Sequence, residues 1–137
     1  FPRRAMAPTS DDLPTPGDVL AVHAEIEEQY DLKYTGAYSS VPQVRLRELL
    51  AEAEELDGVY RRAAFLLRKL ITEHVFRDGN KRTAWIVTLG YLESNGIQPA
   101  EMGDRVPHIL RRIRRFEFDE VARWLESGDI DQDRLRP

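Results

Sequence analysis

Residues 81–95 carry apolar side chains on nearly every side of a helix: Ala84, Trp85, Ile86, Val87, Leu89, Tyr91 and Leu92 cover most of its circumference. A helix with no wet face belongs at the centre of a bundle, so other elements must bury it from several directions. Asn95-Gly96 ends it, because Gly takes the left-handed cap without strain.

The neighbours are helices too. Asp18 is placed to cap one on which Val19, Val22, His23, Ile26 and Tyr30 share a face. Pro42 suits the first turn of a second, which Val44, Leu46, Leu49, Leu50, Ala53 and Leu56 continue to Gly58. Asp57 can cap a third, with Val59, Ala63, Leu66, Leu67, Leu70 and Ile71 inside and Arg61, Arg62, Arg68 and Lys69 outside. A fifth starts at about Asp104 and uses Val106, Ile109, Leu110 and Ile113. A sixth, about 119–127, uses Val121, Trp124 and Leu125 and stops at Gly128. Residues 31–42, with Thr35-Gly36 and Ser39-Ser40-Val41-Pro42, read as a loop or short hairpin. Tyr34 and Tyr38 in it either pack or form a lip over a ligand. The expectation is an all-α bundle of about six helices with no strand longer than a few residues.

At 137 residues the chain is one domain by length. A chain of this size buries roughly 68% of its unfolded surface and needs no staple. Residues 1–16, with four prolines, are expected to be an extended arm, 17–128 the folded domain, and 129–137 a charged tail that frays. A net charge of −4 argues against direct nucleic-acid binding. No apolar run reaches the roughly 18–20 residues of a membrane helix, and no signal-peptide pattern opens the chain. The absence of cysteine excludes disulfides and thiolate metal sites and suits a cytoplasmic protein.

The polar exception lies between the third and fourth helices, in His74-Val75-Phe76-Arg77-Asp78-Gly79-Asn80-Lys81-Arg82-Thr83-Ala84. Helical phase after Leu70 and Ile71 points His74 inward or along the core edge. Phe76 anchors the loop in the core. Asn80 is a good N-cap. Lys81 and Arg82 follow in the first turn, where the helix dipole is already positive and cations are unfavourable. The missing partner is an anion, and exposed amides, a dipole end and two cations make a phosphate cradle. His74 suits proton removal at neutral pH. Asp78 could hold Mg²⁺, which commonly takes one or two carboxylates plus phosphate oxygens. Gly79 lets the backbone approach a phosphate closely. Base, metal ligand, anion hole and charge clamp are what phosphoryl or nucleotidyl transfer needs. A plain capped helix–turn–helix explains Phe76, Gly79 and Asn80 but not the paired cations. His23 and His108 read as core or rim residues. Arg111, Arg112, Arg114 and Arg115 read as a solvated face, or else as a docking patch for an acidic partner or a nucleotide phosphate.

The string His-x-Phe-x-Asp-Gly-Asn-Lys-Arg-Thr-Ala at 74–84 resembles the signature of the Fic/Doc superfamily, and the likeness runs from about residue 19 to residue 125. AMP-transferring Fic enzymes carry a glycine where this chain has Lys81 and a second arginine where it has Trp85; both departures are those of the Doc (death on curing) branch. The resemblance implies Mg²⁺ and ATP, bound in a flipped pose, with the terminal phosphoryl passing to a hydroxyl of a translation elongation factor. It makes His74 the general base and Asp78 the Mg²⁺ ligand, with Gly79, Asn80, Lys81 and Arg82 as phosphate holders. Residues 33–40 would correspond to the family's target-positioning flap. Self-inhibited Fic proteins carry Ser or Thr four residues before a Glu. No Ser or Thr of this chain has Glu at that distance, so inhibition is expected from a separate antitoxin chain. AMP transfer and a catalytically idle, antitoxin-binding domain are the other readings.

Overall fold

The computed structural model describes residues 12–137. Six α-helices follow in order: α1 (Pro16–Gln29), α2 (Pro42–Glu54), α3 (Val59–Thr72), α4 (Asn80–Ser94), α5 (Arg105–Arg111) and α6 (Phe118–Ser127). Two short 3₁₀ turns, Ile113–Arg115 and Gln132–Leu135, complete the regular structure. Among the described residues there is no strand, only one antiparallel bridge between Ala37 and Phe76. The all-α expectation holds.

The centre is α3 rather than α4. It packs against α2, α4 and α6, and α1 lies against α2 and α4. Ala63, Ala64, Leu66, Leu67, Leu70 and Ile71 of α3 are all buried. Its N-cap is Gly58, with no side-chain cap, and not Asp57. A missing cap costs about 1 kcal/mol, whereas each buried Leu or Ile contributes about 1.5–3 kcal/mol, so packing decides that the helix forms. On α4 the buried stripe runs through Asn80, Thr83, Ala84, Val87, Thr88, Tyr91 and Leu92. Ile86 is 41% exposed, and Trp85 and Leu89 are half-buried. One flank of this helix therefore stays open, where the sequence suggested full enclosure.

Other boundaries also shift. Helix α1 starts earlier than expected, with Thr15 as N-cap. The Asp18 amide donates to Thr15 Oγ1 (3.1 Å) and the Thr15 amide to the Asp18 carboxylate (2.9 Å), so Asp18 is the third helical residue and closes a capping box. Leu13 packs on the core. The part of the expected arm from residue 12 on is therefore docked; residues 1–11 lie outside the described residues. Arg62, assigned to the wet face, donates to the carbonyls of Leu56 (2.7 Å) and Glu54 (2.8 Å) and satisfies the end of α2. The tail is also held. Leu135 is buried, Arg115 donates to Arg134 O and Arg136 O, and His108 Nε2 to Leu135 O. Backbone carbonyls of the last residues are thus tied to α5 and the turn after it, and the expectation of fraying fails.

Candidate active site

The site is built where α3 stops and α4 begins. Glu73 caps α3, still in helical geometry, and its carboxylate pairs with the Arg45 guanidinium on α2. That partner holds the Glu73 carboxyl below its usual range. His74 follows at φ 49°, the single left-handed non-glycine among the described residues. This backbone turn takes the side chain out of helical phase, so His74 is exposed rather than inward. Its Nδ1 lies 3.3 Å from Ile71 O. A carbonyl only accepts, so Nδ1–H donates, and in the neutral ring this leaves the lone pair on Nε2.

Val75 and Phe76 return to the core. The Phe76 ring stacks on His23 of α1, with centroids 3.7 Å apart and planes 8° apart. The Asn80 side chain does not cap α4. Its Nδ2 donates to Phe76 O (2.8 Å) and its Oδ1 accepts from Phe76 N–H (3.1 Å). The N-cap is Gly79, at φ 78°. A side chain there would also crowd Ile26 Cγ2 and Leu32 Cδ1, at 3.2 and 3.3 Å from an ideal Cβ. Because no side chain caps α4, the amides of its first turn and the dipole end are left to an anion.

Asp78 is the hub of the turn. Its Oδ1 accepts from Gly79 N–H (2.8 Å) and its Oδ2 from the amides of Lys33 (2.9 Å) and Tyr34 (3.4 Å). The Gly79 amide, then the Lys33 and Tyr34 amides and the charge of Arg82, hold the carboxyl below the usual range despite some desolvation. A carboxylate offers about four lone-pair directions, and three are used here. One remains, at Oδ1. This fits a Mg²⁺ ion that takes a single protein ligand and draws its other ligands from phosphate oxygens and water. Among the described residues no three acidic or histidine side chains group to form a fuller cage.

Lys81 and Arg82 are exposed on the first turn of α4. The Arg82 guanidinium sits 4.2 Å from the Tyr30 ring centroid, which orients it. Tyr38 is covered in the same manner by Arg77, and Tyr34 by Lys33. Residues 36–38 are laced to the motif: Arg77 N–H donates to Gly36 O (2.9 Å) and Tyr38 N–H to Val75 O (3.3 Å).

His74, Arg77, Asp78, Gly79, Asn80, Lys81 and Arg82 all line one cleft of about 620 Å³, within the usual range for small-molecule sites. The opposite wall went unseen in the sequence. Met102, Val106, Pro107 and Leu110 line it with Trp85, and Arg111 lines the cleft as well. Trp85 is braced from behind by Trp124 (centroids 5.8 Å apart), whose indole N–H donates to Glu101 (2.9 Å); Arg105 clasps the same carboxylate. Of the four clustered arginines only Arg111 reaches the cleft. Arg112 binds His108, Arg114 the Thr72 carbonyl and Arg115 the tail, so the run is no single solvated face. The signal for Arg111 was present, but its neighbours carry the same letter for other reasons.

Comparison with known proteins agrees with this geometry. The family model described as Fic/DOC family matches residues 13–92. Toxin Doc of Mycolicibacterium smegmatis (strain ATCC 700084 / mc(2)155) is 45% identical over 65 residues, 44% of this chain and 50% of that protein. The chain thus spans half the length of this curated relative. No solved structure matches. A family model that covers most of the chain, centred on a cleft built from its signature residues, places the molecule: the chain belongs to the Fic/DOC family.

Proposed function

We propose that the chain is a Doc-like toxin that transfers the terminal phosphoryl group of Mg-ATP to a Ser or Thr hydroxyl of a translation elongation factor, arresting protein synthesis. The observation that carries this reading is the convergence of His74, Asp78, Lys81 and Arg82 on one cleft at an uncapped helix N-terminus. The name of the relative, Toxin Doc, supports the toxin half of it, and with it a separate antitoxin chain as partner.

In this mechanism the first-turn amides of α4, with Lys81 and Arg82, hold the phosphates and spread their charge. Asp78 would hold a Mg²⁺ ion, which would supply further neutralisation of the phosphate charge. His74 Nε2 takes the proton of the attacking hydroxyl as its oxygen bonds to the terminal phosphorus; the bond to the bridging oxygen breaks and ADP leaves. Trp85, Met102, Pro107 and Leu110 offer an apolar wall suited to a planar base. Residues 33–40, tied to Val75, Arg77 and Asp78, serve in this reading as the docking loop for the protein substrate.

Incubation with ATP labelled at the α or γ position tests the reaction. Transfer of the γ label to the elongation factor is expected. Transfer of the α label would make the chain an AMP transferase, and no binding of Mg-ATP at millimolar concentration beside tight antitoxin binding would make it an idle domain.

A further inference from the structure

His23 and Glu27 lie one turn apart on α1, outside the cleft and outside the signature string. His23 is 4% exposed. Its Nε2 is 2.9 Å from Asp78 O, and since a carbonyl only accepts, Nε2–H donates. Its ring lies flat on Phe76, and its Cδ2 faces Gly79 at 3.8 Å from an ideal Cβ. Its Nδ1 faces Glu27 Oε1 at 3.8 Å. The other Glu27 oxygen accepts from Gly36 N–H at 2.7 Å, and Gly36 O accepts from Arg77 N–H at 2.9 Å.

The contacts close a ring through the helix itself. His23 holds Asp78 and Glu27 holds Gly36, α1 joins the two residues one turn apart, their side chains 3.8 Å from each other and beyond hydrogen-bond length, and Gly36 returns to Arg77 beside Asp78. The Asp78 side chain adds a second tie, to the amides of Lys33 and Tyr34. Beyond these ties loop 33–38 is held by Tyr38 N–H to Val75 O and by Ala37 against the core, while Tyr34 and Tyr38 are more than half exposed. Few buried apolar contacts make a segment locally unstable, so polar ties from a rigid helix set its position. A plain core histidine would need only its stacking and one hydrogen bond. The acidic partner one turn on, reaching the loop with its other oxygen, is what points beyond packing.

We infer that His23 and Glu27 are a positioning pair: His23 fixes the phosphate-holding turn 78–79, Glu27 fixes the substrate-docking loop 33–38, and α1 keeps the two in register. The roles of turn and loop rest on the function proposed above; the mechanical link does not. Neither residue touches the reacting atoms.

Two measurements test it on the full chain. In Glu27→Ala, amide hydrogen exchange at Gly36 and Arg77 should rise at least about tenfold while the α3 core amides keep their wild-type rates. Unchanged exchange at Gly36 overturns the pair. This readout needs no activity, so it stands apart from failure of the proposed reaction. In transfer assays Glu27→Ala should raise KM for the protein substrate several-fold and leave KM for ATP unchanged. His23→Ala should raise KM for ATP, and His23→Gln, which keeps a donor near the Nε2 position, should recover most of it. Equal defects in His23→Ala and His23→Gln overturn the assignment to His23, as does a uniform fall in kcat with both KM values unmoved. Should His23→Ala not fold, Glu27→Ala and His23→Gln still decide the matter.

Discussion

The Asn80 amide reaches back four residues and pairs with both backbone groups of Phe76, donating to its carbonyl at 2.8 Å and accepting from its N–H at 3.1 Å. The pair pins the turn against the core, since Phe76 is 3% exposed, and leaves the first turn of α4 free for another partner. Asn80→Ala should therefore lower stability by about 1–3 kcal/mol for each backbone group it leaves unpaired. Asn80→Ser separates this role from helix capping. Asn and Ser are about equally good N-caps, so a capping role predicts little change in a denaturant titration, whereas the pairing with Phe76 predicts a loss close to that of Asn80→Ala.

His74 shows the opposite balance. It is exposed and makes one long hydrogen bond. His74→Ala should shift stability by no more than about 0.5–1 kcal/mol, yet slow transfer by roughly 10²–10⁴-fold if Nε2 is the general base. Thermal unfolding beside single-turnover rates checks both halves. An inactive variant that is also badly destabilised would point to a structural role instead.

The Asp78 carboxyl, held down first by the Gly79 amide and then by Lys33 and Tyr34, ties acid conditions to the loop that carries Lys33 and Tyr34. A carboxyl with a depressed folded pKa stabilises the fold above its unfolded value of about 4, and that contribution disappears as pH falls through the lower folded value. The amide resonances of Gly79, Lys33 and Tyr34 should therefore hold steady from pH 8 to about 4 and move together only below it. In Asp78→Asn the shared transition should vanish. Independent titration of the three amides would show that no common carboxylate holds them.

Behind the apolar wall, Glu101 accepts from the Trp124 indole and from Arg105. Trp124 is 1% exposed, so Glu101→Ala strands its N–H and should cost about 1–3 kcal/mol. Loss of this brace should also loosen Trp85 and raise KM for nucleotide more than it lowers kcat. Tryptophan fluorescence reports the first effect and steady-state kinetics the second. A nucleotide KM that does not move would remove Trp85 from the binding wall.

What could be read in advance was whatever depends on near neighbours in the chain. The stripe at 63–71, Pro42 at a helix start and Gly128 at a helix end are settled by spacing and by backbone preference, and each stands as expected. The chemistry-bearing string 74–84 is contiguous, so seven of its residues, His74 and 77–82, reach one cleft. Expectation and structure part where a residue has two possible partners. Asn80 is an equally good cap or turn-closer, and only the seat of Phe76 in the core selects the second. Helical phase, continued past the end of α3, predicts an inward His74, and the left-handed step at that residue undoes it.

The sequence by itself therefore determined the all-α class, the place of the signature string between two helices, and the residue types gathered in that string. Tertiary structure alone decided that α3 rather than α4 is the hub, that Arg111 and the α5 wall face the motif, that the tail is docked, and that His23 and Glu27 hold turn and loop together. The reason is physical. Periodicity distinguishes inside from outside over a few residues, but it carries no information on which buried group meets another across 55 positions of chain, as His23 and Asp78 do. That choice follows from how the packed helices leave each polar atom one reachable partner.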